Sequence, residues 1–396
     1  MRSRASAMVV SLGLAWSARL AAPFPRSAVR CRAPLQRLMA HLGFPAGERV
    51  LIVGDGDFSY SAGLVASRPD LDVVASTLIG AEEDLEARYP GSSANIRAIS
   101  ALGGHVRFGV DATDLSETAA LVQPSCIRFN FPHIDGKSNT KHNRALLSKF
   151  LASAAEALRG SRGRVEVSLV EGQGGSGAHG ERGLGDAEAH SDRHWRLSWM
   201  ASVAGADAGL LMTSVEPFTD QDAPGLEGYV PQGARGRGRR FDTRDVPLLH
   251  EFRLPGHGTS AVFAHCFHTE LHLQIPVDWD NTADDKGLVG CIRTQLQQRG
   301  LHGMEDVSME YLEDFIYPEG DRRCRAWSCL FRSTHRPLPR ARAQTLWNAV
   351  RDSAESYTPV HQPEGSESAR GSVQVRTKST TTVSRPLPSW FAPSRN

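Results

Sequence analysis

With 396 residues, a formal net charge of +1 and six cysteines, the chain has room for two ordinary domains, each burying its own core. Near-neutrality excludes a globally basic nucleic-acid binder, so any contact with RNA has to come from local patches. Cys31, Cys126, Cys266, Cys291, Cys324 and Cys329 show no Cys-x-x-Cys spacing, which argues against a disulfide framework or zinc site and for a reducing compartment.

The N-terminal stretch is set apart by its charge. Glu48 is the first acidic residue, whereas Arg2, Arg4, Arg19, Arg26, Arg30, Arg32 and Arg37 precede it among Ser, Ala and Leu. That is the composition of a mitochondrial or plastid transit peptide, and it marks residues 1–35 as a basic, cleavable targeting segment. An uncleaved basic arm is the alternative, and with it a nucleolar or cytoplasmic protein. Residues 7–16 are apolar but too few to cross a bilayer, and no other stretch is suited to do so.

Residues 49–53 are an apolar run of strand length, followed by Gly54, Asp55, Gly56, Asp57, Phe58 and Ser59. A strand, a tight turn and a helix N-terminus mark the place where open α/β sheets bind ligands. Gly54 and Gly56 permit a sharp turn and a close approach of backbone to ligand; a loop that merely needs positive φ is the other reading. Nucleotide phosphates bind helix N-terminal N–H groups, and Asp55 and Asp57 would repel them while attracting a cation. S-adenosylmethionine, with a sulfonium, an ammonium and no phosphate, suits such a turn. Neither a Walker A sequence nor a complete Gly-x-Gly-x-x-Gly is present, because Ser59 occupies the third glycine position.

Downstream, residues 71–78, 106–110, 126–129 and 165–170 read as strands, separated by helical stretches. The alternation predicts a right-handed parallel α/β sheet with its ligand at the strands' carboxyl ends. There Asp111 is placed to accept a hydrogen bond from an adenine amine or to cap a helix. The carboxylate expected for ribose at the end of the second strand is replaced by Ile79 and Gly80. Glu82 or Glu83 can substitute, or simply complement a helix dipole. After the fourth strand, Asn130 can hydrogen-bond a base edge, Phe131 stack on it and Pro132 fix the loop. His133 is either a proton acceptor or a packed, capping histidine.

Residues 171–192 form a Gly-rich insertion, either a loop that closes over substrate or a flexible linker. Residues 195–200 begin another helix and 210–215 read as a strand. The densest basic patch follows, with glycine-spaced Arg235, Arg237 and Arg239 and then Arg240; it can track an RNA backbone or lie as a solvated loop. From residue 263 the texture changes. Residues 263–275 alternate as a strand, followed by a helix at 287–298, strands at 307–317 and 325–333 and a helix at 341–355, and a last strand would have to come from near 373–376. That order predicts a ferredoxin-like sandwich. His268, Glu270 and His272 share one strand face, but a zinc site also needs a supporting shell, and no metal is expected. Residues 379–396, rich in Ser, Thr and Pro, read as a disordered tail.

The motifs at 53–61, 108–113 and 129–133, with residues 143–150 and Glu216, Pro217 and Phe218, resemble in order and spacing the large-subunit rRNA uridine-N3 methyltransferases and their relatives. Residues 330–338 and 346–350 are similar to the ferredoxin-fold anticodon-binding domain of phenylalanyl-tRNA synthetases. The resemblance implies a class I, Rossmann-like α/β methyltransferase domain at 40–245, then an α+β ferredoxin-like domain at 255–378. It implies S-adenosylmethionine as cofactor, held by Gly54, Asp55, Gly56, Asp57, Phe58, Ser59, Asp111 and Ala112, and rRNA or tRNA as partner, contacted by Arg235, Arg237, Arg239 and Arg240. The implied reaction is methylation of uridine N3, which lies in the base-pairing edge and has to be unpaired or flipped out. Asn130 and Pro132 would hold the base while His133, or Asp57, takes the imide proton. Two other classes compete. A non-catalytic RNA-binding protein on a decayed methyltransferase fold would explain Ile79, and a nicotinamide oxidoreductase is opposed by Asp55 and Asp57.

Overall fold

In the computed structural model the described residues are 43–134, 139–170, 172–175, 198–218, 229, 247–256, 259–261, 265–275, 279, 281–300, 306–317, 322–333, 335–357 and 374–375. Segment 1–35, Arg235, Arg237, Arg239, Arg240, the tail 379–396 and most of the insertion 171–192 lie outside them.

Strand β1 (Arg49–Val53) is apolar from Val50 onward because that part is buried on both faces. Leu51 and Val53 join one core with Ile127, Phe129, Val165 and Phe150, while Val50 and Ile52 join another with Val73, Phe58 and Leu64. Each such buried side chain contributes about 1.5–3 kcal/mol. Helix α1 (Ser59–Ser67), β2 (Asp72–Ser76), α2 (Glu82–Arg88), α3 (Ser92–Ala101), β3 (His105–Arg107), α4 (Ser116–Val122) and β4 (Cys126–Asn130) follow in order. Then come α5 (Thr140–Ala157), β5 (Arg164–Val170), α6 (Ala201–Asp207), β6 (Leu211–Pro217) and β7 (Pro247–Arg253). The sheet order is β3-β2-β1-β4-β5-β7-β6.

Three sequence expectations need correcting. The sheet is mixed rather than parallel, since β7 runs antiparallel to both β5 and β6. Strand β7 itself went unread: only Leu248, Leu249 and Phe252 are apolar in it, and the buried His250 interrupts the run. The third strand stops at Arg107, because Gly109 turns at a φ of 69°. That turn lets the Gly109 and Val110 N–H groups donate to Ile79 and Thr77 carbonyls at 2.9 Å each.

The polar residues of β5 are not solvent-facing. Arg164, Glu166 and Ser168 are buried, and so is Arg128 on β4. Arg128 and Glu166 are cross-strand partners in the β4–β5 register, and Arg128 Nε donates to Glu166 Oε2 at 2.7 Å. Arg164 Nε donates to Glu166 Oε1 at 2.6 Å, and its terminal nitrogens form a bidentate pair with Glu48. Arg128 Nη1 also donates to the Tyr60 hydroxyl at 2.6 Å, reaching α1. Its guanidinium lies over the Phe44 ring, 4.3 Å from the centroid. Burial alone would raise the Glu166 carboxyl, but Arg128 and Arg164 outweigh it and hold it at about 2.

The second sheet has the order β11-β8-β10-β9, with neighbouring strands antiparallel. It comprises β8 (His265–Gln274), β9 (Asp306–Tyr317), β10 (Arg322–Ser333) and β11 (Gln374–Val375). Helices α7 (Ala283–Gln298) and α8 (Arg340–Glu355) complete the β-α-β-β-α-β order of a ferredoxin-like fold. Leu271, Trp327 and Phe331 pack with Leu288, Leu346 and Trp347 in its core. His272 Nε2 lies 3.1 Å from Glu270 Oε2, and its ring meets Phe315 edge-on. Among the described residues no group of three or more His, Cys, Asp or Glu is placed to hold a metal ion, and no helix is long and apolar enough to cross a membrane. The Arg340 N–H donates to Asp207 Oδ1 at 3.0 Å, linking α8 to α6.

The buried charges predict a specific acid response. Because the folded-state carboxyl of Glu166 titrates below its ordinary 4.5, its stabilisation is complete above that value and lost as pH falls toward 2. Arg128→Met leaves a buried carboxylate short of one guanidinium and should cost ~3–5 kcal/mol in urea unfolding at neutral pH. Glu166→Gln should cost clearly more at neutral pH than at about pH 3; equal losses at both would contradict the network's charge pairing.

Candidate active site

A cavity of about 410 Å³ opens at the carboxyl ends of β1, β2 and β4, within the usual size range of small-molecule sites. Gly54, Asp55, Gly56 and Asp57 form one wall. Gly54 has a φ of 63°, and a Cβ there would come within 2.6 Å of Phe129 Cε2, so no other residue fits without moving that ring. The Asp55 N–H continues the ladder by donating to the Ser76 carbonyl at 2.9 Å.

The two acids cap the helix they precede. Asp57 Oδ1 accepts from the Ser59 N–H at 3.0 Å, and Asp55 Oδ2 accepts from the Ser61 N–H at 2.9 Å and from the Ser61 hydroxyl. The first N–H groups of α1, which would otherwise receive a phosphate, are taken by the chain's own carboxylates. Asp55 is buried, and burial, opposed by its bonds to Ser61 and assisted by Asp57, pushes its carboxyl up to about 7. The turn is thus acidic, short of donors and suited to a cationic, phosphate-free ligand.

Asn130, Phe131 and His133 line the opposite wall. Asn130 Oδ1 accepts from the Ser168 hydroxyl at 2.9 Å, which orients the amide; its Nδ2 is buried and makes no hydrogen bond. A donor left unsatisfied in this way is costly without a partner. Phe131 takes a positive φ of 48°, anchored by its N–H on the Ser168 carbonyl at 2.9 Å. His133 Nδ1 contacts the Ile134 carbonyl. Since a carbonyl only accepts, this contact calls for a proton on Nδ1, which in the neutral ring leaves Nε2 as the acceptor.

Not every candidate faces the cavity. Phe58 is fully buried beneath it, edge-on to Phe108, and neither Phe58, Ser59 nor Pro132 is among the lining residues. Asp111 and Ala112 line it, with Asp111 Oδ1 accepting from the Thr113 N–H and hydroxyl at 2.7 and 2.8 Å. Glu82 and Glu83 open α2 and do not line the cavity. Thr77, Arg88, Tyr89, Leu146 and Tyr229 do, and sequence reasoning did not single them out. Arg88 ends a short charged helix and Tyr89 follows it, while Tyr229 stands in a stretch without periodicity, so no pattern marked them. Burial, with Asp55 and Tyr60 nearby, raises the Tyr229 phenol well above its ordinary value, and its ring meets Tyr60 edge-on at 5.2 Å.

Residues 51–229 match the model of a family described as rRNA (uridine-N3-)-methyltransferase, BTM5-like. The chain is 28% identical over 336 residues to ferredoxin-fold anticodon-binding domain-containing protein 1 of Homo sapiens, covering 82% of this chain and 49% of that protein. With the Mus musculus homolog the identity is 34% over 269 residues, 67% of this chain and 40% of the relative. The chain therefore spans half or less of the length of these curated relatives. The crystal structure of the aminoglycoside resistance methyltransferase NpmB1 aligns with 55% of this chain and 91% of its own at 17% identity and a TM-score of 0.30.

The crowding at Gly54 generates a test of the site's geometry. Gly54→Ala should lower stability by about 1–2 kcal/mol for the left-handed backbone alone, and further for the contact with Phe129. Adding Phe129→Leu should recover only the contact part. A Gly54→Ala protein that unfolds like the unmodified chain would contradict the observed turn.

Proposed function

With residues 51–229 matching the BTM5-like methyltransferases as the premise, we propose that this chain is an S-adenosylmethionine-dependent RNA methyltransferase acting on N3 of an unpaired uridine, rRNA being the favoured substrate. The observation that carries this reading is the pairing, across one cavity, of a phosphate-excluding acidic turn with an amide donor and an imidazole acceptor.

The residues present fit the cofactor. Gly54 leaves room where a Cβ would intrude, Asp55 and Asp57 supply negative charge for an ammonium and a sulfonium, and Asp111 and Ala112 stand where an adenosine would lie. When bound, the cofactor supplies an electrophilic methyl group. The chain's own residues handle the acceptor. The Asn130 Nδ2 donor suits a uracil carbonyl beside N3, Phe131 offers a ring face, and His133 Nε2 suits the imide proton. The cavity walls would align the two reactants, which supplies a large share of the rate. The absence of a carboxylate at the end of β2 favours a second reading, an RNA-binding protein that has lost its cofactor.

Calorimetry separates the two, since the second predicts no S-adenosylmethionine binding. Because the Asp55 carboxyl titrates near 7, the affinity for this cationic ligand should rise several-fold, on the order of 10-fold at most, from about pH 6 to pH 8. Neutral adenosine should show no such trend; parallel behaviour of both ligands would remove Asp55 from cation binding. In assays of labelled methyl transfer to RNA, Asn130→Ala and His133→Ala should each lower the rate about 10²-fold or more with cofactor saturating. Unchanged rates would refute the assigned roles.

A further inference from the structure

Asn143 sits in the first turn of α5, on the same inward stripe as Leu147, Phe150 and Leu151. An amide is out of place among those residues, yet Asn143 is 1% exposed. Its Nδ2 is buried without a hydrogen bond, so retaining the residue is unfavourable for the core unless its oxygen has a task. That oxygen accepts from the Ile134 N–H at 3.1 Å. Ile134 in turn presents its carbonyl to His133 Nδ1. The two main-chain groups of one residue therefore join a buried helix amide to the imidazole that lines the cavity.

We propose that Asn143 is a positioning residue: by fixing the Ile134 main chain it holds His133 in the Nδ1–H tautomer and keeps Nε2 as the proton acceptor at the cavity. The functional value of the link rests on the reading of His133 as the base, but the link itself does not. Asn139 supports the arrangement from the other side, capping α5 by accepting from the Lys141 N–H at 2.9 Å. Its carbonyl receives the Asn143 N–H at 3.0 Å. The helix start that carries Asn143 is thus fixed independently of the loop it holds.

The experiment is imidazole nitrogen NMR on ¹⁵N-histidine-labelled full-length protein at about pH 8, above the ordinary histidine range, with the His133 signals assigned by their loss in His133→Gln. The unmodified chain should show the proton on Nδ1. In Asn143→Leu, which keeps the volume and removes the acceptor, the tautomer ratio should shift toward Nε2–H by roughly 2- to 10-fold, the worth of one hydrogen bond. Asn143→Asp, which retains the oxygen, should keep the original ratio. A proton on Nε2 in the unmodified chain, or an unchanged ratio in Asn143→Leu, would overturn the proposal. Should Asn143→Leu fail to fold, hydrogen exchange at the Ile134 amide of the unmodified protein decides: slowed exchange supports the link and free exchange overturns it. Neither readout uses cofactor or RNA, so a chain that shows the tautomer but transfers no methyl group would refute the functional reading and leave this link standing.

Discussion

Two arginines and two glutamates lie buried where β1, β4 and β5 run side by side, and the loops above them stand on that pairing. Glu48 enters β1, Arg128 belongs to β4, and Arg164 and Glu166 belong to β5, while Arg128 reaches Tyr60 in α1. The formal charges cancel, and each carboxylate has a guanidinium to offset its desolvation. Apolar residues of the same volume could fill this space with similar stability. The paired charges tie β4 to β5 and, through the Tyr60 hydroxyl, to α1. The turn after β1 and the loop after β4 form the two walls of the cavity, and the direct pairing of β1 with β4 sets them side by side.

The acidic turn works by using up its own donors. In a phosphate-binding fold the first N–H groups of the helix wait for the ligand. Here Asp57 and Asp55 satisfy those of Ser59 and Ser61. The same carboxylates that discourage an anion would provide the field for the proposed cationic cofactor, and burial pushes the Asp55 carboxyl up to about 7. Across the cavity the logic is reversed. Ser168 occupies the Asn130 oxygen and Ile134 occupies the His133 Nδ1, and in the proposed reaction the remaining amide donor and imidazole nitrogen would serve the imide edge.

How far the sequence foretold this depended on what each residue reports. The strand of β1 and the glycine turn were legible because a doubly buried strand has to be apolar and the turn admits no Cβ at Gly54. The βαββα order of the second sheet and its helices was legible from periodicity, whereas the two-residue β11 was expected only because such a sandwich requires a last strand. Arg128, Arg164 and Glu166 were not, since alternation within a strand assigns a face but does not say that the face is covered. Strand β7 was missed because its buried His250 breaks the apolar run. Burial holds that imidazole neutral, against its bonds to Val167 and Leu248, with its pKa down to about 4. Phe58 was read as a ligand contact from its place in the motif that carries the family resemblance, yet its left-handed backbone turns it into the core. Arg88, Tyr89 and Tyr229 reach the cavity through long-range packing that no local pattern encodes.

The central claim is a chemical one: the cavity joins a cationic methyl donor to the imide edge of a uracil. It is tested most directly by incubating the protein with methyl-labelled S-adenosylmethionine and RNA, digesting the RNA to nucleosides and locating the label by mass spectrometry. The account predicts N3-methyluridine, formed from uridines outside stable base pairs. Label on another base, or none although the donor is bound, would contradict it.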